Sequence, residues 1–152
     1  EIIIVIQSQH LSSFSEVLPN AKYIVQAQQH GTANALQQAI GAVSNEDMLV
    51  MCADSPCVDQ GMLQNLCSQG PLGVIAFKTD DPRAYGRVLE DKIIESHQDA
   101  SIATDVPCNS GIYRLQRSFI EPFLKNFMNS SGFSFLFLIF FVIVFKNLSS
   151  KI

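Results

Sequence analysis

Ile2-Ile3-Ile4-Val5-Ile6 is an unbroken run of β-branched apolar residues, and a run of that kind fits a strand covered on both faces. The pattern recurs. Lys22–Val25, Asp47–Cys52, Gly73–Phe77 and Ser110–Leu115 read as further strands, and helical spacings lie between them. Ser13-Phe14-Ser15-Glu16 has capping-box spacing ahead of a short face of Phe14, Val17 and Leu18, which Pro19-Asn20 ends. Ala35, Leu36, Ala39, Ile40 and Val43 fall on one face of a second helix running to about Val43, with Gln37 and Gln38 pointing away. Asp59 can cap a third, with Met62, Leu63, Leu66 and Cys67 inward. Ser118 can open a fourth, with Phe123, Leu124, Phe127 and Met128 on one side and Pro122 in its first turn. Tyr85–Val88 and Lys92–Glu95 read as a hairpin or lid. This alternation predicts an α/β fold, a Rossmann-like three-layer sandwich on a mostly parallel sheet, over residues 1–128.

Residues 129–152 differ in kind. Phe133–Phe145 holds six of the chain's eleven phenylalanines. As a helix it would extend ~20 Å against a hydrocarbon core of about 30 Å, short for a membrane span. A non-native terminus, a buried or oligomer-forming strand and a membrane-associated tail all remain open for it. Only the tail favours a membrane-attached interaction protein.

Charge narrows the partners. The net charge is −4 and no basic cluster occurs, which argues against nucleic-acid binding because displacing phosphate counterions needs Lys and Arg. The four cysteines form no Cys-x-x-Cys pair and have no His at zinc-finger spacing, so reduced thiols in a cytoplasmic protein are expected. No secretory leader is visible, and a strand starting at residue two leads us to expect more chain upstream.

In parallel α/β sheets, ligands bind beyond the carboxyl ends of the strands. Gln26, Gly31 and Asp54 all fall at such ends. Gly31 permits close ligand approach, and Thr32 can cap the helix that follows. An ordinary strand–helix turn fits the same residues. Asp54, between a buried strand and Pro56, is either a loop cap or a ligand for Mg²⁺, which takes one or two protein carboxylates with substrate phosphates. His10, His30 and His97 read as solvated. Arg83 and Arg87 can meet phosphates or pair with Asp80 or Asp81.

Four blocks carry a resemblance: Val25-Gln26-Ala27-Gln28-Gln29-His30-Gly31-Thr32-Ala33-Asn34-Ala35, Leu49-Val50-Met51-Cys52-Ala53-Asp54-Ser55-Pro56, Asp80-Asp81-Pro82-Arg83-Ala84-Tyr85-Gly86-Arg87-Val88 and Asn109-Ser110-Gly111-Ile112-Tyr113. In order and spacing, over most of Ile2–Leu115, the chain resembles a bacterial N-acetylglucosamine-1-phosphate uridyltransferase domain. The resemblance implies a nucleotide-diphospho-sugar transferase fold, uracil contacts at Gln26, Gly31 and Thr32, and Mg²⁺ on Asp54. It places the N-acetylglucosamine moiety on Gly86, Glu95 and Asn109. It further implies attack of a sugar 1-phosphate on UTP, giving UDP-N-acetylglucosamine and pyrophosphate in cell-wall precursor synthesis. The family's Gly-rich phosphate signature and first strand have no counterpart in residues 1–152, so the domain reads as incomplete and no catalytic residue is assigned. Cys52-Ala53 replaces the usual Tyr-Gly before the aspartate, and no hexapeptide repeat of an acetyltransferase domain follows. An inactive remnant, or a relative selecting another base or sugar, stands beside the uridyltransferase reading.

Overall fold

In a computed structural model, residues 1–28, 31–55, 57–68, 70–90, 92–94, 105–127 and 141–144 are described. Strand β1 (Ile2–Ile6) enters the core at once, and Ile3, Ile4, Val5 and Ile6 are all buried. A 3₁₀ turn (Ser8–His10) leads to α1 (Leu11–Val17) and then β2 (Lys22–Val25). The capping box expected at Ser13 does not form, because Ser13 lies inside α1 and the helix starts on the preceding 3₁₀ turn. Val17 and Leu18 stay exposed, at 76% and 39%. Instead the Tyr23 hydroxyl, 2.8 and 2.9 Å from the carbonyls of Phe14 and Leu18, ties down the end of α1.

Helix α2 (Thr32–Ile40) buries Ala35, Leu36 and Ala39 as its spacing predicts, and Val43 is buried just beyond it. Gln37 departs from its expected outward direction. Its Nε2 donates to the Leu124 carbonyl at 2.8 Å, and its buried Oε1 has no partner among the described residues. Strand β3 (Asp47–Cys52) is followed by α3 (Gln60–Cys67), capped as expected by Asp59, whose Oδ1 accepts from Met62 N at 2.8 Å. Leu66 is buried, but Met62 is 45% exposed because it faces an open groove toward the next strand.

Strands β4 (Leu72–Phe77), β5 (Arg87–Val88), β6 (Ile93–Ile94) and β7 (Cys108–Gln116) follow, then α4 (Arg117–Phe127) and β8 (Phe141–Val144). Ser118 lies within α4 rather than before it. Its backbone N–H donates at 3.1 Å to Oε1 of Glu46, a carboxylate distant in sequence that takes the capping role. Pro122 is the sixth residue of α4, one turn deeper than expected. Leu124 packs inward, whereas Phe123 is 61% exposed.

The strand order is β2-β1-β8-β3-β7-β5-β6, with β4 pairing β7. Strands β1 and β2 are parallel, and β8 runs antiparallel to both β1 and β3. Strand β7 runs antiparallel to β3 and β4. Hence β1, β2, β3 and β4 all point one way, with β7 and β8 inserted in the opposite sense. The three layers expected from the sequence are present. Ile3, Val5, Met48 and Val50 pack with Ala35, Leu36, Ala39 and Leu124 on the α2/α4 face, while Leu49 and Ile112 pack with Leu66 on the α3 face. Neighbouring β3 residues alternate between these two cores, which is why the strand reads as continuously apolar. The carboxyl ends of β1, β2 and β3 lie at one edge of the sheet, together with the amino end of β7.

Candidate functional site

At the β2 side of that edge, the Gln26 backbone N–H donates to the Ile6 carbonyl at 2.8 Å and extends the β1–β2 pairing by one residue. The Gln26 side chain is buried, and its Nε2 donates to Asn34 Oδ1 at 2.8 Å. Asn34 Oδ1 also accepts from Gln38 Nε2 at 2.9 Å, so α2 holds the amide at position 26 in one orientation. Gly31 stands before the helix at φ 84°, a left-handed backbone that favours glycine. Thr32, expected as the cap, is instead the first helical residue, and Gly31 takes the cap position with no side-chain bond. Gly31 offers the first-turn N–H groups of α2 at the sheet edge no capping side chain of its own.

The second part of the edge is built around an irregularity in β7. Val74 of β4 pairs with Tyr113, yet Ala76 pairs with Asn109, so residues 110–112 of β7 bulge out. Bulges re-aim side chains and often adjoin functional sites. Asn109 Oδ1 accepts from Gly111 N at 3.0 Å, and Ser110 Oγ accepts from Ile112 N at 3.2 Å, which holds the bulge. Gly111 has φ 74°, and a Cβ there would sit 2.8 Å from Cys52 Sγ. Only glycine satisfies both conditions. The Ser55 hydroxyl, 3.4 Å from the Ser110 carbonyl, ties the β3 end to the same bulge.

This brings together residues that are far apart in sequence. Asn109 N donates to the Gly86 carbonyl at 2.8 Å, joining two of the predicted sugar positions directly. Gly86 is buried, and Asn109 Nδ2 donates to the Tyr113 hydroxyl at 2.7 Å. Asp54 follows β3 two residues after Cys52 and is exposed. Burial pushes the Cys52 thiol up to about 11, and the nearby Asp54 charge adds to that shift. Among the described residues no group of three or more His, Cys, Asp or Glu could hold a metal. A single exposed carboxylate suits Mg²⁺ completed by water and phosphate oxygens better than a closed protein cage.

Gln26, Gly31 and Thr32 lie on the β2–α2 side, three strand spacings from β3, or ~14 Å at about 4.8 Å each. Glu95 lies outside the described residues, as do Gln29, His30 and His97. Arg83 makes the carboxylate pairing, with Nε and Nη2 at 2.7 and 2.9 Å from Asp81, whose carboxyl is held down to about 2. Arg87 does something the sequence did not signal: it turns inward and is 7% exposed. The four cysteines are free thiols, with Cys52 and Cys108 buried and Cys57 exposed. No helix among the described residues is long and apolar enough to cross a membrane.

The sequence matches no family model. It is 34% identical over 120 residues to the bifunctional protein GlmU of Stutzerimonas stutzeri and 30% identical over 120 residues to that of Pseudomonas syringae pv. tomato. Each alignment covers 72% of this chain and 26% of the relative, so the chain spans about a quarter of those proteins. The fold is similar to 4-diphosphocytidyl-2C-methyl-D-erythritol synthase from Anaerococcus prevotii, with TM-score 0.62 and 11% identity, over 86% of this chain and 58% of that one. It is also similar to a Bacillus anthracis protein assigned as a glucose-1-phosphate thymidylyltransferase, with TM-score 0.57 and 19% identity, over 78% and 55% of the two chains.

Proposed function

We propose that this chain is part of a nucleotidyltransferase domain whose site selects a uridine nucleotide and holds N-acetylglucosamine beside it, a reading supported by its likeness to GlmU and by its fold. The reaction is uridyl transfer. An oxygen of N-acetylglucosamine 1-phosphate attacks the α-phosphorus of UTP, the bond to the β-phosphate breaks, and pyrophosphate leaves. In this reading Gln26, Gly31 and Thr32 meet the uracil, and Gly86 and Asn109 meet the sugar. Glu95 is assigned to the sugar by resemblance alone. Asp54 binds Mg²⁺, which when present neutralises phosphate charge. The chain's own work is to orient the two reactants.

One observation carries the proposal, namely the 2.8 Å Asn109–Gly86 hydrogen bond at the bulge that also meets the β3 end bearing Asp54. Gly86 and Asn109, which the resemblance assigns to the sugar, meet there from distant segments, beside the strand end bearing the carboxylate assigned to Mg²⁺. A cytoplasmic setting, where nucleoside triphosphates are held and thiols stay reduced, fits the free cysteines. The likeness to GlmU supports a place in the supply of cell-wall precursors.

Residues 1–152 contain no Gly-rich phosphate signature, and the donors such a loop supplies act mainly in the transition state. The 152-residue protein is therefore expected to bind UDP-N-acetylglucosamine with Mg²⁺ without releasing pyrophosphate from UTP. Titration followed by amide NMR should perturb Gln26–Thr32 and Asn109–Gly111, and Asp54→Ala should abolish the Mg²⁺ dependence. Unmoved amides at millimolar ligand would sink the binding proposal. Pyrophosphate release that Asp54→Ala abolishes would overturn the inactive reading. Thermal shifts with UTP, CTP and GTP test the base, and uridine should stabilise most.

A further inference from the structure

Arginines 83, 114 and 117 each sit against a carboxylate: Asp81, Asp47 and Glu121. Arg87 has none among the described residues, although it is the most buried of the four. An uncompensated charge in the interior is costly, and so needs compensating polar contacts. The acceptors it meets among the described residues are two backbone carbonyls and a thiol. Arg87 Nη1 donates to the Pro82 carbonyl at 2.5 Å and to the Tyr85 carbonyl, and lies 3.8 Å from Cys108 Sγ. Its Nε is buried without a partner among the described residues.

These two carbonyls are the ends of one turn, closed by Tyr85 N donating to the Pro82 carbonyl at 3.0 Å. From above, the Tyr85 ring meets Phe77 edge-on at 4.9 Å and 87°. Gly86 follows immediately, and its carbonyl accepts from Asn109 N. On the far side Val88 N donates to the Pro107 carbonyl at 2.8 Å. The guanidinium thus sits under the turn that sets where Gly86 stands relative to Asn109. A glycine in a loop has wide backbone freedom, so an outside clamp is what fixes it.

We propose that Arg87 is a positioning residue for the sugar half of the site, acting through the Pro82 and Tyr85 carbonyls to hold Gly86 on Asn109. The planar guanidinium suits this because one nitrogen can serve two carbonyls in a fixed plane, which an ammonium reproduces only in part. The assignment rests on the sugar-binding role proposed for Gly86 and Asn109, while the clamp itself is a property of the fold.

The test uses the 152-residue chain with Arg87→Met and Arg87→Lys, and UDP and UDP-N-acetylglucosamine as probes in the presence of Mg²⁺. Losing one hydrogen-bonded clamp should speed exchange of the Asn109 amide by roughly three- to tenfold in Arg87→Met, with Arg87→Lys intermediate. UDP affinity should be unchanged, because Gln26, Gly31 and Thr32 lie several strands away along the same edge of the sheet. The extra affinity of UDP-N-acetylglucosamine over UDP should fall in Arg87→Met and recover in part in Arg87→Lys. Wild-type exchange and an unchanged affinity ratio in Arg87→Met would overturn the assignment. A wild-type chain with no preference for the sugar nucleotide would overturn the proposed function instead, and the exchange rates would still decide on the clamp. Should Arg87→Met fail to fold, Arg87→Lys alone decides: wild-type exchange and affinity ratio in it overturn the assignment.

Discussion

The two sides of the candidate site are built in opposite ways. The β2–α2 side is local: Gln26, Gly31, Thr32 and Asn34 lie within nine residues, and the bond from Gln26 to Asn34 spans eight positions. The β3–β7 side joins residues 54, 86 and 109 through a bulge, with a thiol packed where a side chain at Gly111 would go. A local loop tolerates errors elsewhere in the fold, whereas an assembled corner depends on correct register in several strands. Between the two lies β8, hydrogen-bonded to β1 on one edge and β3 on the other.

The change expected to do most erases the contrast. Ile143 of β8 is registered against Ile3 on one side and Val50 on the other. Proline there removes a ladder hydrogen bond, and its ring crowds a strand paired on both edges. Because β8 joins β2-β1 to the remaining strands, Ile143→Pro should weaken both sides of the site together. Denaturant unfolding with ligand titration measures it, and a stable Ile143→Pro protein would show that β8 does not hold the sheet halves together.

A second change should separate the two sides. Gly111→Ala places a Cβ 2.8 Å from Cys52 Sγ at φ 74°. A left-handed alanine costs about 1–2 kcal/mol, and the crowding adds a similar amount. The bulge should shift, spoiling the Gly86–Asn109 geometry while the Gln26–Thr32 loop keeps its shape. Adding Cys52→Ala should relieve the crowding but not the backbone cost, recovering roughly half the loss, and a double-mutant cycle in urea reads the coupling directly. Simple additivity would mean that Cys52 does not constrain Gly111.

The same contrast explains what could be read in advance. The continuous apolar run of Ile2–Ile6 and that within Asp47–Cys52 are local signals, and the three layers follow from them. The helical face of Ala35, Leu36 and Ala39 is local too. Two of the misplaced details have a long-range cause. Glu46, not the local box, caps α4 at Ser118, and Leu124 draws Gln37 inward. In sequence Arg87 reads as a partner for phosphates or for Asp80 or Asp81, since nothing in Tyr85-Gly86-Arg87 says that the guanidinium folds back onto its own turn. The bulge at residues 110–112 is a mismatch between two strands and has no signature in either alone. Family resemblance named Gly86 and Asn109, but the hydrogen bond joining them became visible only in the fold.

The smallest expected effect concerns Cys52, the thiol inside the assembled corner. Burial, reinforced by the Asp54 charge, raises it to about 11 from an ordinary 9.0. The folded state therefore holds the thiol proton more tightly than the unfolded state. Its contribution to stability is complete below pH ~9 and is lost as pH rises toward ~11. Stability should decline over that window, and Cys52→Ala should flatten part of the decline. At pH 8 the exposed Cys57 should react first with a thiol reagent, followed by the half-buried Cys67, while Cys52 stays protected until the corner opens. Magnesium bound at Asp54 would cancel the charge that adds to the Cys52 shift, so Mg²⁺ with ligand should lower the onset of Cys52 alkylation slightly on the pH axis. Mass-spectrometric labelling across pH 8–11, with and without Mg²⁺ and UDP-N-acetylglucosamine, measures it. An onset that ligand leaves fixed, in a protein that binds ligand with Mg²⁺, would count against Asp54 as the magnesium ligand, and a Cys52 that reacts as early as Cys57 at pH 8 would show that the corner does not shield the thiol.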